Sequence, residues 1–138
     1  MSGGYIQCGK ITGDDKSGSA IQGVMEDILG AGCGEAVAAI LHDMISEMDE
    51  GNDHILIEPD CSAQILPAVQ AHHDNLKRAL GDITDPFIAM EKDEEAGLDP
   101  IEAKWRKGIG WQFYCTTNLI PALMESQSNG DPVVIHFD

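Results

Sequence analysis

Apolar residues recur at helical spacing over much of the chain. Ile21, Val24, Met25, Ile28 and Leu29 fall at i, i+3, i+4, i+7 and i+8 and stop in the glycines Gly30, Gly32 and Gly34, which predicts one amphipathic helix. Val37, Ile40, Leu41, Met44, Ile45 and Met48 form a second stripe opposite Glu35, Asp43, Ser46 and Glu47, closed by Gly51-Asn52. Together they predict a helical hairpin. Ile65, Val69, His72 and Leu76 predict a third helix that starts between Ser62 and Pro67 and ends at Gly81, after Lys77 and Arg78, cations suited to the negative end of a helix dipole. Asp85-Pro86 has the form of an N-cap followed by an N1 proline, launching a helix through Met90 and the acidic run Glu91 to Glu95 as far as Gly97. Asp99-Pro100-Ile101-Glu102 repeats that start and adds a capping box, with Glu102 reaching back to the cap amide.

Strand signals are shorter. Tyr5 to Ile11 reads as an edge strand followed by a turn from Thr12 to Ser19, and His54 to Glu58 as a second strand ended by Pro59, which cannot donate to a ladder. Val133 to Phe137 reads as a strand after the Asn129-Gly130-Asp131-Pro132 turn. Ile109 to Thr116 is apolar enough for a buried strand or for a helix apolar around its whole circumference. Gly108 and Gly110, each costing a helix interior about 1 kcal/mol, favour strand. Leu119, Ile120, Leu123 and Met124 then form a short helix, which makes the last third a β-α-β unit with parallel strands. The fold class expected is α/β, with α+β as the alternative. It comprises a small sheet of about three to four short strands covered by about four to six helices, in one domain spanning residues 1–138.

Charge adds a constraint on partners. The chain has 24 acids against 8 bases, a formal charge of -16. From Ser17 to Leu76 it contains no lysine or arginine, yet it carries Glu26, Asp27, Glu35, Asp43, Glu47, Asp49, Glu50, Asp53, Glu58, Asp60 and Asp74. Such a field repels nucleic-acid phosphates and lipid headgroups and attracts basic surfaces. Solubility alone is the bland explanation. The start of the chain lacks the basic and apolar segments of a secretory signal, and no apolar run approaches the ~18 residues of a membrane span, so a cytoplasmic location is expected. Cys8, Cys33, Cys61 and Cys115 lie far apart without a CxxC pair, pointing to free thiols.

Candidate chemistry is sparse. Cys61 follows Glu58-Pro59-Asp60 near a helix start, where the dipole favours thiolate, and with His54, His72 or His73 it could serve a small cysteine-dependent hydrolase or transferase. A buried or capping cysteine fits the flanking carboxylates better. His72-His73-Asp74 resembles the edge of a metal site, but neither HExxH nor HxxxH is present, and a core histidine bonded to a backbone carbonyl is the simpler reading. Gly30 to Gly34 matches no phosphate-binding pattern, and Asp14 to Gly18 lacks the glutamate of a calcium loop. No cofactor or metal is expected. Lys104, Arg106 and Lys107 beside Trp105 and Trp111 could stack on a single strand, but the surrounding acidity makes them ion-pair partners or interface anchors.

The acidic surface itself remains. Asp43, Glu47 and Glu50 fall at i, i+4 and i+7, three like charges along one helix face at a local cost in stability. A non-enzymatic binding or inhibitor protein would use such an array to imitate nucleic-acid charge and block the basic groove of a nucleic-acid-binding partner. Glu47, Asp49, Glu50 and Asp53, with Glu91, Asp93, Glu94 and Glu95, are the partner-binding residues expected. In composition, a short acidic chain of this kind looks like the anti-restriction and anti-CRISPR proteins of bacteriophages. A third reading is an acidic accessory subunit, a homodimer included, that buries Trp105, Trp111, Phe113 and Tyr114 against another chain.

Overall fold

Residues 4–14, 16–99 and 108–137 are described by a computed structural model. Four strands, β1 (Gly4–Cys8), β2 (Ile11–Thr12), β3 (His54–Ile57) and β4 (Val133–Phe137), form an antiparallel sheet in the order β2-β1-β4-β3. A 3-10 turn at Ser17–Ala20 leads into α1 (Ile21–Ala31). Among the described residues the further helices are α2 (Glu35–Asp49), α3 (Pro59–Ala79), α4 (Pro86–Glu95) and α5 (Ile109–Asn129). The expected class holds, with a small sheet and a helical cover.

Side-chain alternation sets the layers. Ile6, Ile135 and Ile55 lie opposite one another across three strands, all fully buried, and with Cys8, Ile57 and Val133 they turn one sheet face toward the helices. The other face carries Tyr5, His136 and His54 in one row and Gln7, Val134 and Leu56 in the next. Val24, Met25, Leu41, Ile65, Val69, Leu119 and Leu123 complete the main core over the apolar face. A smaller cluster of Leu76, Leu80, Ala89 and Phe113 joins α3, α4 and α5.

Three expectations are corrected. The Tyr5 to Ile11 segment is a hairpin turned at Gly9, whose φ of 55° suits glycine, and β1 lies inside the sheet, paired on both sides. Pro59 does more than end β3. It opens α3 at the first helical turn, where its missing N–H would be unpaired in any case, so the helix starts earlier than Ser62. The β-α-β unit does not form, because Ile109 to Thr116 is the start of α5, and β4 runs antiparallel to both its neighbours.

The reason lies at Gly110. A Cβ there would meet the carbonyl oxygen of Ala89, so glycine lets α4 and α5 approach backbone to backbone. That contact outweighs a propensity cost of about 1 kcal/mol. The apolar circumference of Ile109 to Thr116 belongs to a central helix packed against α3, α4 and the 3-10 turn, with Phe113, Tyr114, Cys115 and Thr116 all buried. The helical hairpin of α1 and α2 and the Asp85 cap of α4 appear where the pattern places them, the Asp85 carboxylate accepting from Phe87 N–H at 2.9 Å. The capping box at Glu102 and the Lys104 to Lys107 cluster lie outside the described residues.

Candidate partner-binding surface

The end of α2, the strand β3 and the first turn of α3 follow one another in sequence and adjoin in space, and the lysine-free acidic stretch supplies all three. Asp43, Glu47, Leu56, Glu58 and Cys61 line one hollow between α2 and β3. Glu47, Asn52, Asp53 and His54 line the next, so Glu47 and Leu56 stand between the two. Neither hollow has a lysine or arginine in its wall. Gln22 of α1 donates to Glu26 and to Asp49, both at 3.2 Å, and so ties the end of α2 to α1. Glu47, Asp49, Glu50 and Asp53 are all exposed; Asp53 meets His54 Nδ1 at 2.8 Å.

The second acidic run has a different arrangement. Glu91, Glu94 and Glu95 are exposed on α4, whereas Asp93 is only 2% exposed. Its carboxylate accepts from Gly110 N–H at 3.0 Å and Trp111 N–H at 2.9 Å, two donors in the first turn of α5 that have no intrahelical acceptor. Burial raises the Asp93 pKa, and these two hydrogen bonds oppose the rise. Asp93 therefore leaves the set of partner-binding residues, because it is a helix cap supplied from a neighbouring helix. The two runs also stand apart. Glu58 precedes α3, while Ala89 of α4 packs on Leu76 and Leu80 toward the far end of a helix about 31 Å long.

The cysteine and histidine candidates are dispersed. Burial pushes the Cys61 thiol up, and Asp60, Glu58 and Asp43 push it further, which opposes the nucleophilic thiolate. His72 lies about 16 Å further along α3, given eleven residues at helical rise. His54, exposed on β3, bonds Asp53 instead. His72 bonds a side chain, in place of the backbone carbonyl expected. Gln112 Nε2 donates to Asp27 at 2.9 Å, so its Oε1 faces His72 and accepts from Nε2–H at 2.8 Å. His73 Nδ1 meets Thr116 Oγ1 at 2.8 Å, and since that hydroxyl donates to the Phe113 carbonyl, the ring nitrogen is the donor. Burial holds the His73 pKa below the usual histidine value.

Asp27, Gln112 and Thr116 were not singled out by the pattern. Their signal was polarity inside an apolar run, since Gln112 and Thr116 are one helical turn apart in the stretch read as strand. Two members of the aromatic patch, Phe113 and Tyr114, pack internally, Trp111 is half-buried, and Trp105 lies outside the described residues. Phe113 stacks on His73 with ring centres 4.7 Å apart, and Tyr114 is buried, meeting Phe87 edge-on and donating to Asp14. Among the described residues, no group of three or more His, Cys, Asp or Glu side chains is placed to hold a metal ion. Among those residues, too, no helix is long and apolar enough to cross a membrane. Comparison with protein-family models, curated proteins and solved structures finds no match to this chain.

Proposed function

We propose that this chain is a non-enzymatic, cytoplasmic binding protein whose acidic surface occupies the basic groove of a nucleic-acid-binding partner. The observation that carries the reading is the gathering of Asp43, Glu47, Asp53 and Glu58 around two adjoining hollows whose walls contain no lysine or arginine. Like charges held together on a folded surface cost stability, and a cationic partner relieves that cost on binding while speeding encounter. The proposed contact set is Glu47, Asp49, Glu50 and Asp53, with Asp43 and Glu58 added from the geometry. Glu91, Glu94 and Glu95 form a separate, secondary site. In its biological setting the reading is an inhibitor of a nucleic-acid-directed defence complex, of the anti-restriction or anti-CRISPR kind.

The test is retention of a basic nucleic-acid-binding complex from bacterial lysate at low salt, followed by competition with duplex DNA and with RNA. Loss of the retained complex on adding nucleic acid, and on Glu47→Lys with Asp53→Lys, is the expected result. Retention indifferent to both would overturn the proposal.

A further inference from the structure

The ladder of β3 fixes which of its backbone groups face away from the sheet. Phe137 N–H donates to the Asp53 carbonyl at 2.7 Å, and the two residues are one step beyond the His54–His136 pair. Hydrogen-bonded and non-bonded pairs alternate in an antiparallel ladder, so Ile55 and Ile57 direct their N–H and C=O groups toward β4, while His54 and Leu56 direct theirs away from it. The same alternation runs through the sheet. Gly13 N–H donates to the Ile6 carbonyl at 2.7 Å, which turns Ile6 toward β2 and leaves Tyr5 and Gln7 for β4.

β3 is an edge strand of the sheet, as β2 is at the other side, and no described strand lies beyond it. Its free edge thus offers the backbone groups of His54 and Leu56, and the side chains of these two residues are exposed, Leu56 at 46%. Asp53 and Glu58 stand just outside the two ends of this edge, with Asp43 and Glu47 of α2 beside it. Charge decides the occupant. A second copy of the strand would bring these carboxylates against their own kind, which is one way that proteins keep edges from self-pairing. An extended segment bearing lysine or arginine would meet both the backbone ladder and the field.

We infer that β3 is an augmentation edge that pairs with an extended, cationic segment of the partner protein, seated against the outward backbone groups of His54 and Leu56. The inference rests on the proposed function and specifies how that surface engages. Main-chain bonds give affinity in this mode, and the flanking acids select basic residues.

The test uses the full chain and a short capped peptide alternating valine with lysine. Bound peptide should slow amide hydrogen exchange at His54 and Leu56 while leaving Ile55 and Ile57, already bonded to β4, unchanged. Leu56→Pro removes an outward N–H and no bond to β4, so it should weaken peptide binding at least about fivefold. Exchange mapping on the unmodified protein stands even if that variant fails to fold. Binding with no protection at His54 and Leu56, binding unaffected by Leu56→Pro, or no binding at low salt would each overturn the inference. So would a dimer in size measurement that dissociates in Leu56→Pro. Glu47→Lys with Asp53→Lys separates the two proposals: loss of partner retention in that variant, with an edge that fails its own test, sinks the strand pairing and leaves the acidic surface standing.

Discussion

The two acidic runs have similar composition and differ at one buried member. Around β3 the carboxylates stay in water beside one another. On α4 the run surrounds Asp93, which points inward and bonds two backbone amides of α5. The comparison teaches that a run of acids is not one kind of feature. Its members divide according to whether the fold buries them on its own backbone donors, as it does Asp93, or leaves them exposed, as it does Asp49 and Asp53 even though Gln22 and His54 bond them.

Substitutions at the contact of Asp93 with α5 should therefore be felt in stability, and those around β3 in binding. Asp93→Ala leaves the Gly110 and Trp111 amides without their acceptor and should destabilise the fold by about 2–3 kcal/mol in denaturant unfolding, with the α4–α5 contact loosened. Gly110→Ala forces a Cβ onto the Ala89 carbonyl and should cost about 1–3 kcal/mol. Combined with Asp93→Ala it should cost less than the sum, because both act on one helix pair.

Acid titration would sharpen the contrast through His73. Its folded pKa is lowered, so below the usual histidine value of 6.5 the unfolded chain takes up a proton before the folded one does. Stability contributed by the neutral ring is present above that value and is lost as pH falls toward the folded pKa. Thermal unfolding should show this slope, and His73→Phe should remove it. Asp93 has the opposite sign: its raised pKa means that stability falls as pH rises from the ordinary Asp value of 3.8 through the folded one. Glu47→Lys with Asp53→Lys should have the smallest effect on unfolding, within about 0.5 kcal/mol, while abolishing salt-sensitive partner binding. A large loss of stability there would erase the distinction between the two runs.

Most elements were legible because their signals were local. Glycine stops, the Asp85-Pro86 start and the stripes of α1 and α2 depend on neighbours a few residues away. Ile109 to Thr116 looks like strand in isolation because a glycine that weakens a lone helix is the residue that admits a second one, and nothing within that stretch announces α4. Asp93 was hidden for the same reason, since its acceptor role is defined by amides 17 and 18 residues later. The β3 site was half legible. Its charge could be counted along the chain, but which strand would be left at the rim depended on β4 entering between β1 and β3.

That central place of β4 has a consequence for how the molecule is made. Gly4 faces Phe137 across the sheet, so the ladder joins positions separated by nearly the whole sequence. The helices can form from nearby residues, but β1 and β3 have no common neighbour until β4 docks. Long-range pairing of this kind slows folding, because loop-closure entropy is lost before the contacts are gained. Without that pairing the chain holds a hairpin, a lone strand and apolar helix faces with no common floor, so closure of the sheet depends on five residues, Val133–Phe137.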